Sequence, residues 1–433
     1  MSNDTRRRTR LSAAREKLFA RLAFHGRTET VSVGAADGRV TSEAVASPRA
    51  VPADSVAATD GYAVRAEDTF AATDRSPAVL RVRSVADESP LPPGEVAAIR
   101  TGARLPPNAD SVIPDRAVER VDDEIELFDA LAEGANVTPA GAVADRDASV
   151  VERGDRLRPS ALGALRTVGV ERVDVAERPA VAVVAVGDGP TPGASVVAAL
   201  ARRWGARVRV ERIDADHGAV RETVRAAVGE GADETTDLLH IVGSRDGGPA
   251  ATGLKAAGRV LARRLAVQPG GDTALAVAEG VPVIASPTGA VDATVGAVAL
   301  ARRAIRTLDG RPTTAPPGRP ARLARKLRSA PGVRTFVPVT VRAANGADSP
   351  DGGTDDGSSE SSDADGAGDA GDTAGATAGD PDDAASIADP LDAAGTPGPL
   401  LAARADGWVA VAEPLEGIDA GRRVVVRDWE VGA

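Results

Sequence analysis

The chain has 433 residues, of which 42% are hydrophobic, enough to bury the cores of about three domains. It contains no cysteine and only three histidines, which excludes disulfides, thiolate metal sites and cysteine nucleophiles and argues against a histidine-built zinc site. Its 52 Lys and Arg residues stand against 63 Asp and Glu, a formal net charge of −11, which argues against a general nucleic-acid-binding protein because such proteins need a basic face.

The composition also indicates an environment and a location. Lys17, Lys255 and Lys326 are the only lysines, and an acidic chain that uses arginine instead of lysine favours a halophilic protein, with GC-rich codon usage as the alternative explanation. No run of about 18 apolar residues occurs, and residues 1–10 are charged, so we expect neither a membrane helix nor a secretory signal. We therefore expect a cytoplasmic protein that does not bind membranes.

The N-terminal third combines one helical stripe with β-type segments. The stripe has helical spacing and consists of Leu11, Ala14, Leu18 and Leu22. From residue 50 to 68 and from 99 to 113, the density of Gly, Pro and Asp indicates loops and short strands of a β-rich domain. The first of these segments holds the only tyrosine, Tyr62, after Asp60 and Gly61. This tripeptide is also common in turns and is a weak signal alone.

Residues 179–306 alternate between strand and helix patterns. Apolar or alternating runs typical of strands lie at residues 179–188, 207–214, 238–242 and 281–285. The stripes at helical spacing are Val196, Val197, Leu200 and Trp204; Val220, Val224 and Val228; Leu254, Ala257, Leu261 and Leu265; and Val291, Val295, Val298 and Ile305. This alternation predicts a parallel, doubly wound α/β domain.

Three glycine-containing turns follow strands of this domain, at residues 187–189, 243–248 and 286–289. Ligands of open α/β sheets bind beyond the carboxyl ends of the strands, so we expect a binding site at this edge. Backbone N–H groups at helix starts suit phosphate, and Asp188 and Asp246 suit a divalent cation. Each turn alone could be an ordinary strand–helix connection, but three at one edge favour a site.

The C-terminal part of the chain indicates a small β domain interrupted by an acidic segment. Strand patterns occur at residues 334–341, 407–411 and 422–426. Between them, residues 345–393 are mostly Asp, Gly, Ser, Ala and Thr with almost no large apolar side chain. Such a segment cannot bury enough surface to offset its chain entropy, so we predict a disordered insertion.

Short motifs occur in a fixed order along nearly the whole chain. In that order they are Gly38-Arg39-Val40, Pro52 to Val64 with Asp60-Gly61-Tyr62-Ala63-Val64, Thr101-Gly102-Ala103 to Pro106, Gly154-Asp155, Gly187-Asp188, Pro269-Gly270 and Ser286-Pro287. Each motif alone has moderate specificity. The ordered set resembles the MoeA family of molybdopterin molybdenumtransferases, which includes the E domain of gephyrin.

The resemblance implies a four-part subunit that works as a homodimer. Its parts would be an elongated N-terminal domain, a β domain inserted into it, an α/β domain similar to those of MoaB and Mog, and a C-terminal β domain. The corresponding residues are 1–46 with 134–178, 47–133, 179–310, and 311–344 with 394–433.

The resemblance also implies a reaction. Adenylylated molybdopterin is cleaved in the presence of molybdate or tungstate, AMP leaves, and the metal is seated on the pterin dithiolene with the help of Mg²⁺ or another divalent cation. The sulfur ligands belong to the substrate, so a chain without cysteine can carry out this chemistry.

By position in the motifs, the resemblance assigns catalytic roles to Asp60, Asp188 and Asp246, of which Asp188 and Asp246 are also the expected metal ligands. The expected substrate-binding residues are Thr101, Gly102, Gly187, Gly243, Ser244, Pro287 and Thr288. The expected site is a crevice shared by two subunits, in which Asp60 of one faces the turns of the other.

Departures from the family's motifs keep a second interpretation open. Ala57 stands in place of a serine, Gly189 in place of a glutamate, and residues 269–272 (Pro-Gly-Gly-Asp) lack the lysine of Pro-Gly-Lys-Pro. Residues 286–290 (Ser-Pro-Thr-Gly-Ala) depart from Leu-Pro-Gly-Asn-Pro. Losing one charge-assisted phosphate contact costs about 1.5–3 kcal/mol.

The first two interpretations are therefore a divergent molybdenum or tungsten transferase and a non-catalytic paralogue. The paralogue would bind a pterin nucleotide or form a heterodimer with an intact copy. A scaffold that recruits partners through its acidic segment is a third interpretation, supported only by the insertion itself.

Overall fold

The structure is a computed structural model and describes residues 8–83, 89–228, 235–243, 248–344, 386–391 and 399–430. The chain forms two compact units, residues 28–175 and residues 1–27 with 176–433. In chain order the helices are α1 (Leu11–Phe19), α2 (Pro159–Thr167), α3 (Pro192–Arg203), α4 (His217–Val228), α5 (Pro249–Ala257), α6 (Ala290–Gly296), α7 (Arg302–Leu308) and α8 (Pro399–Ala402). Among the helices of these residues, none is both long and apolar enough to cross a membrane.

The unit of residues 28–175 is built from short strands. In chain order they are β1 (Thr28–Ser32), β2 (Val45–Ala46), β3 (Val56–Ala57), β4 (Gly61–Val64), β5 (Ala78–Arg83), β6 (Glu95–Ile99), β7 (Ser111–Pro114), β8 (Val118–Val121), β9 (Glu124–Leu127), β10 (Val137–Thr138), β11 (Ser149–Val151) and β12 (Arg172–Ala176). Six of them form one sheet in the order β7-β4-β6-β5-β9-β8, and the others pair as β1-β12, β2-β11 and β3-β10. Strand β9 shows the alternation expected of a half-buried strand, because Ile125 and Leu127 are buried while Glu124 is exposed.

The other unit begins with an α/β sheet. Its strands are β13 (Ala180–Val186), β14 (Arg207–Ile213), β15 (Leu238–Val242), β16 (Arg259–Ala262), β18 (Ala274–Ala278) and β19 (Val281–Ser286), and β17 (Val267–Gln268) lies between them in the chain. The order is β14-β13-β15-β19-β18-β16, and the first four strands are parallel. Val181, Val183 and Ala185 of β13 pack in one core with side chains of α3, α6 and α7, and Ala182 and Val184 pack in another with those of α4 and α5. Helices therefore cover both faces, which confirms the predicted doubly wound fold.

The sheet differs from the prediction at its far edge. The spacing of Leu254, Ala257, Leu261 and Leu265 predicted one helix, but α5 ends at Ala257 and β16 begins at Arg259. Between them Gly258 is extended (φ −163°), and a Cβ there would lie 2.6 Å from the carbonyl oxygen of Val277. Strand β16 pairs with β18 and β18 with β19, both antiparallel, so the sheet is mixed and not wholly parallel.

Helix α1 packs into the core of this α/β unit. Leu11, Ala14 and Leu18 are fully buried in the same cluster as the α3 side chains. The Nε of Arg15 donates a hydrogen bond to the carbonyl oxygen of Ala299 (3.0 Å) in the π-helical turn that joins α6 to α7. Residues 1–27 therefore group with residues 176–433, whereas the sequence assigned them to the N-terminal domain.

The C-terminal strands form a closed sheet. They are β20 (Gly318–Leu323), β21 (Leu327–Arg328), β22 (Arg334–Ala343), β23 (Ser386–Pro390), β24 (Gly407–Val411), β25 (Gly417–Ile418) and β26 (Arg423–Arg427). The order is β17-β22-β23-β20-β26-β24, and β24 also pairs with β22, which closes five strands into a small barrel. Its core contains Val337, Val339, Ala388, Val409 and Val424.

The acidic segment predicted to be disordered, residues 345–393, falls for the most part outside the described residues. Its C-terminal end does not follow the prediction, because residues 386–390 form β23, antiparallel to β22 and parallel to β20. Ile387 and Ala388 are buried there. The sequence Ser-Ile-Ala-Asp-Pro has one large apolar residue, so its composition alone could not reveal a strand that two neighbouring strands stabilise.

Candidate functional site

Asp60 and Thr101 lie side by side at one end of the sheet that contains β4 and β6. Asp60 precedes β4, Thr101 follows β6, and Gly61 of β4 pairs with Ile99 of β6. The Oδ1 of Asp60 accepts hydrogen bonds from the Thr101 N–H (2.7 Å) and the Thr101 hydroxyl (2.9 Å). The backbone hydrogen bond, followed by the hydroxyl, lowers the pKa of Asp60. The carboxylate is therefore ionised at neutral pH, with Oδ2 open to a ligand.

The described residues that open the three predicted turns lie at one edge of the α/β sheet. Strands β13, β15 and β19 are adjacent and parallel, so Gly187, Gly243 and Pro287, which follow them, lie at the same carboxyl edge. The Gly243 N–H donates to the carbonyl oxygen of Ser286 (2.8 Å). A side chain on Gly243 (φ +139°) would meet the Cβ of Val186 at 2.7 Å, so only glycine fits between these strand ends. The geometry agrees with the predicted location, and the binding roles of these residues stay predictions.

The loop after β19 is bound to the start of α3. The Gly193 N–H donates to the carbonyl oxygen of Thr288 (3.1 Å), and the Ala194 N–H donates to that of Thr191 (3.0 Å). A Cβ on Gly193 would lie 2.8 Å from the Thr288 oxygen, so α3 and this loop are in close contact. Because these two N–H groups bond within the protein, a phosphate at this edge needs other donors.

Of the two expected metal ligands, Asp188 and Asp246, the structure describes only Asp188. It lies in the exposed loop after β13, whereas Asp246 and the neighbouring Ser244 lie outside the described residues. In the described part of the chain, no group of three or more His, Cys, Asp or Glu side chains is placed to hold a metal ion. Mg²⁺ often takes one or two protein carboxylates and completes its shell with water and substrate phosphates, so Asp188 fits an open site of this kind.

Two acidic residues that the sequence analysis did not assign to the site fix the turn at residues 269–272. The Oδ1 of Asp292, in the first turn of α6, accepts a hydrogen bond from the Gly270 N–H (2.8 Å). Asp272 forms an ion pair with Arg264 (2.9 Å). An aspartate in a first helical turn is a recognisable sequence signal, but its bond to a turn about 20 residues away is a tertiary contact.

A buried histidine lies beneath the edge. His240 of β15 is 0% exposed, and its Nε2 lies 2.9 Å from the hydroxyl oxygen of Ser286, the last residue of β19. Burial lowers the pKa of His240 to about 3. The imidazole is therefore neutral at physiological pH and links the middle of β15 to the last residue of β19.

The pKa of His240 predicts a pH-dependent stability. In the unfolded chain His240 takes up a proton near pH 6.5, while the folded protein resists protonation down to about pH 3. The unfolded state is thus favoured as the pH falls through this window, and His240 should cost about 2 kcal/mol between pH 7 and pH 5. We expect His240→Leu to remove that part of the pH dependence in denaturant unfolding, and the exposed His217→Gln to retain it. Equal pH slopes for all three proteins would contradict this assignment.

A cavity of about 430 Å³ lies at the opposite end of the same sheet. Its lining consists of Ala180, Val181, Ala182, Arg207, Val208, Arg209, Thr235 and Thr236. These residues belong to the amino ends of β13 and β14 and to the approach to β15. The cavity is therefore separate from the edge that carries Gly187, Gly243 and Pro287.

Comparisons with known proteins agree with this arrangement. Residues 9–169 match the family described as MoeA N-terminal region (domain I and II). Molybdopterin molybdenumtransferase 2 of Mycobacterium tuberculosis is 27% identical over 352 residues, which cover 74% of this chain and 85% of that protein. Among solved structures, molybdopterin biosynthesis MoeA protein of Pyrococcus horikoshii matches with a TM-score of 0.75 at 27% identity, over 98% of this chain and 99% of that one. Over nearly its whole length the chain is therefore similar to MoeA proteins.

Other relatives match a smaller region. A Methanocaldococcus jannaschii protein named for molybdopterin biosynthesis is 32% identical over 160 residues, which cover 37% of this chain and 39% of that protein. The family resemblance inferred from the ordered motifs is confirmed, and so is the combination of α/β and β domains. These levels of identity agree with a divergent MoeA protein.

The structure also shows what stands at the positions where the MoeA motifs are changed. Ala57 is 1% exposed and its N–H donates to the carbonyl oxygen of Ala103 (2.9 Å), so this buried position offers no hydroxyl to a ligand. Gly189 leaves the loop after β13 without the glutamate of the motif. At the third position, Gly271 stands where the MoeA motif has its lysine, and the next residue, Asp272, is paired with Arg264.

Proposed function

We propose that this protein acts in molybdenum cofactor biosynthesis and inserts molybdate, or tungstate, into adenylylated molybdopterin with release of AMP. Relatives that carry the name molybdopterin molybdenumtransferase support the pathway. The working unit would be a homodimer, in keeping with the resemblance stated above.

The observation that carries this proposal is the fixed carboxylate of Asp60. Both Thr101 donors bind the same oxygen, Oδ1, so Oδ2 keeps its lone pairs for a ligand. A carboxylate that is ionised, exposed and held at the end of a rigid sheet can accept a proton, or orient a water molecule, through its Oδ2 atom.

The residues at the sheet edge suit an anionic substrate. Peptide N–H groups of the loop after β13 can donate to phosphate oxygens, and Thr288 offers an exposed hydroxyl beside them. Asp188, together with Asp246, would hold Mg²⁺. When bound, that ion supplies the positive charge that offsets repulsion between an oxyanion and a diphosphate.

One observation favours a second candidate function. The Arg264–Asp272 ion pair lies in the segment where the MoeA motif carries a lysine, and a paired carboxylate there weakens binding of phosphate. A non-catalytic paralogue would keep the fold and bind the pterin nucleotide without turnover, or would pair with an intact copy.

The test is AMP release by the purified full chain. Protein, adenylylated molybdopterin, molybdate and Mg²⁺ are mixed in high salt, and AMP is quantified against reactions without molybdate and reactions with tungstate. We expect release that requires the oxyanion. No release above that of Asp60→Ala, with the adenylylated pterin still bound, would favour the paralogue, and absence of both release and binding would reject both functions.

A further inference from the structure

Arg212, the sixth residue of β14, holds the loop that follows the neighbouring strand β13. Its Nη1 donates hydrogen bonds to the carbonyl oxygens of Gly187 (2.7 Å) and Gly189 (2.7 Å), and its Nη2 donates to the hydroxyl of Thr191 (3.3 Å). The loop of residues 187–191, which carries Asp188, is thus tied to the edge strand by one guanidinium group.

This contact sets the direction of one peptide group. In a planar trans peptide the C=O and the N–H point in opposite directions, so the Gly187 carbonyl that faces Arg212 turns the Asp188 N–H away from β14. The Gly187 N–H donates to the carbonyl oxygen of Ile213 in β14 (2.8 Å). Both backbone polar groups of Gly187 are therefore hydrogen-bonded to β14. The Asp188 N–H therefore points away from β14, and it has no acceptor among the residues that the structure describes.

We propose that Arg212 is a positioning residue of the candidate site, which presents the Asp188 N–H to a phosphate oxygen of the ligand. This inference rests on the function proposed above. The N–H groups of Gly193 and Ala194 in α3 are already hydrogen-bonded within the protein, and the Asp188 N–H is the donor that remains for phosphate. Arg212 acts through the loop and does not contact the reacting atoms.

An arginine is needed at this position for geometric reasons. The loop contains Gly187 and Gly189, which give its backbone many accessible conformations, so an unrestrained loop would lose entropy when a ligand orders it. The guanidinium group offers several donors in a fixed plane and reaches three acceptors at once, whereas a lysine ammonium is a point charge on a flexible chain. The restraint exists before the ligand arrives, which lowers the cost of binding.

The test compares Arg212→Met and Arg212→Lys with Arg207→Met, a matched control on the same strand whose exposed side chain lies at its other end. Hydrogen exchange at the Gly187 N–H, the loop amide that bonds to β14, should be about tenfold faster in Arg212→Met. It is measured on the ligand-free full chain by mass spectrometry with fragmentation to single residues. Titration with AMP and Mg²⁺ should give a Kd about tenfold higher, and the KM for adenylylated molybdopterin should rise similarly while kcat changes less than about twofold. Arg212→Lys should be intermediate, and Arg207→Met should match the wild type.

Exchange in this loop that is unchanged in Arg212→Met, or equally fast in Arg207→Met, would overturn the proposal. Faster exchange with an unchanged Kd for AMP and an unchanged KM would also overturn it, because the loop would then move without affecting the ligand. If the wild type neither binds nor releases AMP, the proposed function is wrong and the phosphate contact of Asp188 fails with it. The exchange data distinguish that result from a failure of Arg212 to hold the loop.

Discussion

Replacing Asp60 by asparagine is expected to reduce molybdate-dependent AMP release by about 10³-fold, within the range that a positioned acid or base contributes to catalysis. The amide keeps an oxygen at the Oδ1 position, so both Thr101 hydrogen bonds can persist. The variant loses the charge and replaces Oδ2, the atom assigned to the ligand, with a donor. The effect should therefore fall on kcat with little effect on folding.

The control for this experiment is Asp122→Asn. Asp122 lies in the turn between β8 and β9 with a φ of +53°, a conformation that asparagine tolerates well. Both variants should unfold within about 2 °C of the wild type, and only Asp60→Asn should lose activity. Because hydrogen bonds lower the pKa of Asp60, its ionisation should also produce no fall in rate between about pH 8 and 5. Full activity of Asp60→Asn would remove Asp60 from the chemistry.

The second large effect is expected at Gly61, the residue that follows Asp60. A Cβ on Gly61 would lie 1.9 Å from the carbonyl oxygen of Ile113 and 3.0 Å from the Cα of Pro114, the residue with which Gly61 pairs on β7. Neither contact is with a flexible side chain, so Gly61→Ala must force β4 away from β7. We expect the free energy of unfolding to fall by about 3 kcal/mol or more, measured by denaturant unfolding.

Gly163→Ala is the matched control for Gly61→Ala in the same unit. Gly163 lies within α2, and no atom comes within 4 Å of a Cβ built there. Alanine is the better helix former, so this variant should gain about 0.5–1 kcal/mol. The two substitutions are chemically identical, so changes of opposite sign in the free energy of unfolding would show that the pairing of β4 with β7 requires glycine at position 61. A general property of glycine could not explain such a difference. A stable, active Gly61→Ala protein would show that the strands can separate without cost.

Regular patterns made most of the α/β fold predictable. The runs that became β13 and β15 are rich in β-branched residues and end in glycine, so both their strand character and their place at the ligand edge could be inferred from sequence. Strand β18 (Ala-Leu-Ala-Val-Ala) and strand β16 have no such signal. Leu261 and Leu265 fitted a helical spacing, and only the close approach of Gly258 to β18, a tertiary contact, decides against the helix.

The candidate site shows the same limit. Asp60, Thr101 and the three turns could be located because they belong to motifs or to strand ends. Arg212 and Asp292 could not, because each acts on a segment about 20 residues away through a hydrogen bond to the main chain. Surface arginines are numerous in this chain, and nothing in the local sequence distinguishes one that holds a loop from one that faces solvent.

The pairing of β22 with β23 also bears on how this chain tolerates added length. Ala343 and Ser386 are opposite each other in an antiparallel ladder, so the chain leaves the barrel and returns to it at points about 5 Å apart. The entropy of closing a loop grows only logarithmically, about 0.6 kcal/mol for each doubling of its length. Lineages can therefore lengthen or shorten the intervening segment with little thermodynamic penalty, and a fluorescent protein grafted between these two residues should leave the barrel intact.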